Sequence, residues 1–143
     1  MVKNPQNYDL ICYCDGVSKN NPGEAGIGVI IYDSSNKIIN QINEYIGIAT
    51  NNIAEYSALI KTLQEALKLK AKSIIVYSDS ELMVRQIKGE YKTSNEKLKS
   101  LRNEVYNLMK SFSGCEIIHI NREQNKLADK LANISVKSHR DKS

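Results

Sequence analysis

Four acidic residues fall where one kind of sequence pattern gives way to another. Asp15 ends an apolar run, Asp79 directly follows SIIVYS, and Glu55 and Asp129 lie near the starts of two helical stripes. Each alone has a plain structural explanation: a turn former, a helix cap, or a charge that favours the positive end of a helix dipole. Together they carry a different implication. Carboxylates crowded at one sheet edge repel one another and take raised pKa values unless cations neutralise them. Hard divalent ions such as Mg²⁺ accept oxygen ligands and keep waters for chemistry. Two such ions, roughly 3.5–4 Å apart, can activate an attacking water and stabilise the leaving oxygen of a phosphodiester. That chemistry needs carboxylates and no amino-acid nucleophile. Other chemistries lack their residues: there is no GxxxxGK[ST] phosphate loop, no GxSxG elbow and no HExxH helix. Only two histidines are present.

Positioning these acids requires an alternation of strands and helices. Asp9 to Asp15 reads as a short strand, and the polar loop GVSKNNPGE follows it. Ala25 to Tyr32 (AGIGVIIY) is a nearly continuous β-type run, and Lys37 to Tyr45 returns from the turn signal DSSN. From Thr50 the period changes, with Ile53, Tyr56, Ile60, Leu63 and Leu67 forming the stripe of an amphipathic helix. SIIVY at residues 73–77 is a buried-type strand, and Ser78 with Glu81 reads as a capping box for a helix through Ile87. Leu98, Leu101, Val105, Leu108 and Phe112 mark another helix, residues 115–120 a fifth strand, and Leu127, Leu131 and Ile134 a last helix. His139 to Ser143 reads as a frayed polar tail. The order βββαβααβα predicts an α/β (mixed α+β) fold. Its five-stranded mixed sheet has three antiparallel strands and then two parallel ones, with helices on both faces. Open sheets of this kind place active sites outside the carboxyl ends of strands. If the first and fourth strands are neighbours, Asp15 and Asp79 share one edge and the two helix starts can approach it.

The composition is that of one globular domain over residues 1–143, with a core over about 8–137. It is 41% hydrophobic and 25% charged, with seven glycines and two prolines. No apolar run reaches the roughly 18 residues of a membrane helix. The segment MVKNPQNYDL lacks the apolar stretch of a signal peptide, so a cytoplasmic, monomeric protein is expected. Cys12 and Cys14 share one strand face and read as core packing rather than as zinc ligands. A net charge of +4 is compatible with a polyanionic partner without demanding one.

The motifs around the four acids resemble the ribonuclease H family, type 1, from about Asp9 to Val136. YCDGVSKNNPGEAGIG is similar to the family's strand-end Asp-Gly, Asn-Pro-Gly and glycine-spaced strand. TNNIAEYSAL is similar to the lead into its Glu-bearing helix. VYSDSELM and REQNKLADKLAN follow in order and at compatible distances. The resemblance implies that Asp15, Glu55, Asp79 and Asp129 are metal ligands and catalytic residues for Mg²⁺ or Mn²⁺, with two ions during catalysis. It implies an endonuclease cutting the RNA strand of RNA–DNA hybrids to 5′-phosphate and 3′-hydroxyl ends, with double-stranded RNA as a further substrate. Asn21, Asn51 and Asn52 match positions that contact the substrate minor groove, and their amides suit 2′-hydroxyls and base edges. Gly16 matches a position where the backbone approaches an RNA sugar.

The chain also departs from the pattern. The stretch HINREQNKLAD is too short for the His-bearing loop of bacterial relatives, which is the archaeal and plant-like form. His119 falls at the end of a strand and reads as structural, whereas Arg122 and Glu123 occupy the shortened loop. Val17 replaces a small polar residue, Glu81 a common Gln, and residues 88–99 are too short for a full basic protrusion. The rival readings are a non-catalytic hybrid- or RNA-binding module, another ribonuclease H-like nuclease, and a plain α/β interaction domain. Retention of all four carboxylates and of the TNN and DG…NPG motifs favours the hybrid-cleaving endonuclease.

Overall fold

The computed structural model describes residues 4–142; Met1–Lys3 and Ser143, including the last residue of the expected tail, lie outside the described residues. Five strands form one sheet: β1 (Leu10–Ser18), β2 (Gly23–Asp33), β3 (Ile38–Ala49), β4 (Ser73–Ser78) and β5 (Gly114–His119). Their order is β3-β2-β1-β4-β5. β1–β2 and β2–β3 are antiparallel, and β1–β4 and β4–β5 are parallel. The expected mixed sheet is therefore observed, with β1 and β4 adjacent.

Alternation along the strands sorts side chains to two faces. Cys12 and Cys14 of β1, Ile27, Val29 and Ile31 of β2, and Ile74 and Val76 of β4 point into the main core. That face is covered by α1 (Asn51–Lys68), α2 (Glu81–Ile87) and α3 (Glu96–Met109), whose Tyr56, Leu59, Leu63, Val84, Leu98 and Val105 complete the same core. The cysteines are buried free thiols, as packing residues would be. The opposite face carries Ile11 and Ile75 with Tyr13, Tyr32 and Tyr77. There α4 (Lys126–Lys142) lies against the far half of the sheet.

Helix starts follow from capping chemistry. Thr50 Oγ1 accepts from the Ile53 amide at 3.2 Å to open α1, and Asn95 Oδ1 from the Leu98 amide at 3.0 Å to open α3. The expected Ser78–Glu81 capping box is not formed. Ser78 is still in β4, and Ser80 is the cap, its Oγ accepting from the Met83 amide at 3.3 Å. Glu81 instead pairs with Arg85 at 2.9 Å on the exposed face of α2. Nor is the segment from His139 a frayed tail: α4 continues through Lys142. The His139 ring stacks on Tyr45 of β3 with centroids 3.6 Å apart, and Arg140 pairs with Glu24 at 2.6 Å. Among the described residues, no helix is long and apolar enough to cross a membrane.

Candidate active site

The site grows from a mismatch in strand length. Pairing between β1 and β4 ends at Cys14↔Ser78, whereas β1 continues against β2 to Ser18. Asp15 is therefore inside β1 rather than at its end, one residue past the last parallel pair, and Asp79 occupies the equivalent place after β4. Both carboxylates leave the sheet at the carboxyl edge of two parallel strands.

Glu55 arrives from above that edge. A Cβ on Gly16 would collide with the Ala54 carbonyl and the Glu55 amide, so only glycine lets α1 settle this close to β1. The Gly16 amide donates to Glu55 Oε1 at 2.6 Å. The absent side chain thus makes room for a helix, and Gly16 also lines the cleft.

Asp129 arrives from the other side, in the first turn of α4. A 3-10 turn over Arg122–Asn125, closed by a reciprocal Asn121–Gln124 capping box, aims this helix. Buried Asn125 then donates from Nδ2 to the Cys14 carbonyl at 2.9 Å, tying the helix start to the residue beside Asp15. Neither the turn nor this tie was read from the sequence, although both lie in the REQNKLAD segment.

Oxygens of Asp15, Glu55 and Asp79 all lie within 4.8 Å of one another. Asp129 stands outside that tight group but lines the same open cleft, of about 380 Å³, with Gly16, Asn51 and Asn52. Asp15 is only 4% exposed. Burial, then the neighbouring Glu55 and Asp79 charges, push its carboxyl well above the usual range, and Asp129 raises it further. Glu55 is also raised, chiefly by burial, against the opposing effect of the Gly16 amide and the Arg122 guanidinium. Among the described residues, none of the four has a Lys or Arg nitrogen within 4.0 Å. Converging carboxylate oxygens that repel one another, with no protein cation in ion-pair contact, fit a divalent metal ion.

The three asparagines divide their tasks. Asn21 Oδ1 accepts from the Asn51 amide at 3.0 Å, and Asn51 Oδ1 accepts from the Ser18 amide at 2.8 Å. These bonds lock the loop after β1 onto the start of α1. Asn51 and Asn52 line the cleft; Asn21 does not, and its side-chain oxygen serves the loop. Arg122 lines the cleft, whereas His119 and Glu123 do not. Lys19, Ser80 and Asn133 also line it and carried no local signal of doing so, except that Asn133 is four residues after Asp129 on one helix face.

Comparison with known proteins places this geometry among relatives. The model of a family described as reverse transcriptase-like matches residues 13–135. Ribonuclease HI of Halobacterium salinarum is 36% identical over 121 residues, covering 85% of this chain and 61% of that protein. The chain thus spans about three-fifths of that relative's length. Ribonuclease H of Coxiella burnetii is 30% identical over 154 residues, covering 93% of this chain and 92% of that one. The crystal structure of RNase H1 from Halobacterium salinarum superposes with a TM-score of 0.88 at 34% identity, over 90% of this chain and 98% of that chain. LC11-RNase H1, solved in complex with an RNA/DNA hybrid, superposes with a TM-score of 0.85 at 36% identity, over 91% and 98% of the two chains.

Proposed function

We propose that this chain, which belongs to the ribonuclease H family, is an endonuclease that hydrolyses the RNA strand of RNA–DNA hybrids. The observation that carries the reading is the convergence of Asp15, Glu55 and Asp79 within 4.8 Å at the carboxyl edge of β1 and β4. Their hard oxygen donors, with Asp129 at the rim, would hold Mg²⁺ or Mn²⁺. When bound there, a pair of such ions supplies a water acidic enough to attack at neutral pH and neutralises charge on the phosphodiester. The products are a 5′-phosphate and a 3′-hydroxyl.

The protein's own residues select and orient the strand. Asn51 and Asn52, at the lip of the cleft, present amides that donate to and accept from 2′-hydroxyls and base edges, the feature that distinguishes RNA from DNA. Asn21 holds that lip in place through the Asn51 amide. Arg122 faces the same cleft and offers a planar guanidinium to phosphate oxygens. Double-stranded RNA, which presents the same sugar edge, is a secondary substrate. All four carboxylates come from one chain, so the site is complete in a monomer.

The test uses end-labelled hybrid, double-stranded RNA and double-stranded DNA, each with Mg²⁺, Mn²⁺ or EDTA. Internal cuts in the RNA strand of the hybrid, weaker cutting of double-stranded RNA and none of DNA are expected, all lost in EDTA. Full activity in Asp79→Asn would rule out the proposed site.

A further inference from the structure

Asp129 lies outside the mutual group of three carboxylates, and its carboxylate is held by hydrogen bonds from its own helix. Asn133 Nδ2 donates to the Asp129 carbonyl oxygen at 2.9 Å and to Asp129 Oδ1 at 3.2 Å. Asn133 Oδ1 in turn accepts from Lys19 Nζ, in the loop between β1 and β2. All three residues line the cleft.

We propose that Asn133, anchored by Lys19, is the positioning residue for Asp129. An Asp on the first turn of a helix has several side-chain rotamers, and most direct its charge to solvent. Fixing Oδ1 on the helix's own Asn133 restricts the orientation of the carboxylate and would leave Oδ2 for a metal ion. While it donates to Asn133, Lys19 stays in the cleft and, among the described residues, forms no ion pair with Asp129. The Lys19 contact also makes the arrangement depend on the β1–β2 loop. Beside that loop, Ser18 ends β1 and its amide donates to Asn51 Oδ1 at 2.8 Å. The adjacent residues Ser18 and Lys19 therefore link the asparagines that would read the sugar to Asp129 through the backbone between them. This inference rests on the reading of the cleft as a divalent metal site.

The decisive measurements are Mn²⁺ binding by titration calorimetry on the full chain without nucleic acid, and kcat and KM on the hybrid. Thermal unfolding in EDTA accompanies them. Asn133→Ala is expected to weaken Mn²⁺ binding about tenfold and lower kcat by a similar factor, because groups that orient metal ligands typically matter by 10–100-fold. KM should change by less than about twofold and Tm by little. Asn133→Asp keeps the shape and the acceptor for Lys19 but replaces the donor with a like charge, and it should fall at least as far. Lys19→Ala should show a smaller loss, and Lys19→Ala with Asn133→Ala no more than Asn133→Ala alone. Wild-type Mn²⁺ affinity and kcat in Asn133→Ala, or in Asn133→Asp, would overturn the proposal. If the wild-type chain binds Mn²⁺ but cuts no hybrid, the hydrolase reading fails while the Mn²⁺ comparison still decides the role of Asn133. No Mn²⁺ binding to the wild-type chain overturns both.

Discussion

Asp15 and Gly28 face each other across the β1–β2 ladder, and the side chain that Gly28 lacks is where the first turn of α4 packs. A Cβ there would strike the Ala128 carbonyl and the Ala132 amide and approach Leu131 Cβ to 2.8 Å. Ala128 precedes Asp129 in sequence. The glycine opposite one carboxylate thus sets how near the other can come, so Gly28→Ala acts on catalysis through backbone separation. The expected loss is 1–3 kcal/mol of stability, as for overpacked cores, together with a fall in kcat of more than about tenfold. Unfolding curves and hybrid cleavage below the transition separate the two effects. A folded Gly28→Ala chain with wild-type kcat would contradict this account.

Neutralising Asp15 should cost activity and add stability. The buried carboxyl is held near Glu55 and Asp79 without a protein cation, and Asn has its shape without its charge. In EDTA at pH 8, Asp15→Asn should unfold a few degrees above the wild type, corresponding to about 1 kcal/mol. Cleavage should fall to background. A lower Tm in EDTA would show that repulsion at the cluster is not a source of instability.

The raised carboxyls of Asp15 and Glu55 fix the sign of a pH effect. Folding takes up protons at pH values above the unfolded carboxylate range, which lies near about pH 4. Their contribution to stability is therefore fully present below that range and is lost as pH rises through the elevated folded values. Metal-free protein should show a falling Tm between pH 5.5 and pH 8. Binding of a divalent ion requires the deprotonated forms, so the Tm increment from Mn²⁺ should grow over the same interval. Thermal scans at both pH values, with EDTA and with excess Mn²⁺, test the two opposite slopes.

Arg122 should act on the phosphate rather than on the metal ligands. Arg122→Ala is expected to raise KM for the hybrid severalfold and to reduce the slope of log binding against log salt by about one, as for loss of a single phosphate contact. Binding measured between low and moderate NaCl, with Asp79→Asn to prevent cleavage, gives that slope directly. An unchanged slope would remove Arg122 from the nucleic-acid interface.

Local periodicity made most of the framework legible. The alternation in the early strands, the three-and-four stripe after Thr50 and the buried run SIIVY each follow from patterns a few residues long. Asp15 and Asp79 were legible because a charge beside an apolar strand has to be at an edge. What escaped was made by partners far apart in the chain. Lys19 meets Asn133, Asn125 meets Cys14 and His139 meets Tyr45, and no window of sequence contains both members of any pair. The helix cap slipped from Ser78 to Ser80 because pairing with β1 keeps Ser78 in the sheet, which local capping rules do not consider. The need for close approach at Gly16 is legible in the sequence, whereas the packing of α1 against it is a long-range contact that is not.

The four carboxylates enter on four separate segments, the first near the start of the chain and the last on its final helix. No fragment that emerges early in synthesis can hold them all together. Asp15, Glu55 and Asp79 come from β1, α1 and the end of β4, and only Asp129 waits for α4, each added loop closure costing entropy. Affinity for a divalent ion should therefore begin when β4 joins β1 and reach its full value only when α4 docks. Metal uptake would thus report how far this domain has assembled.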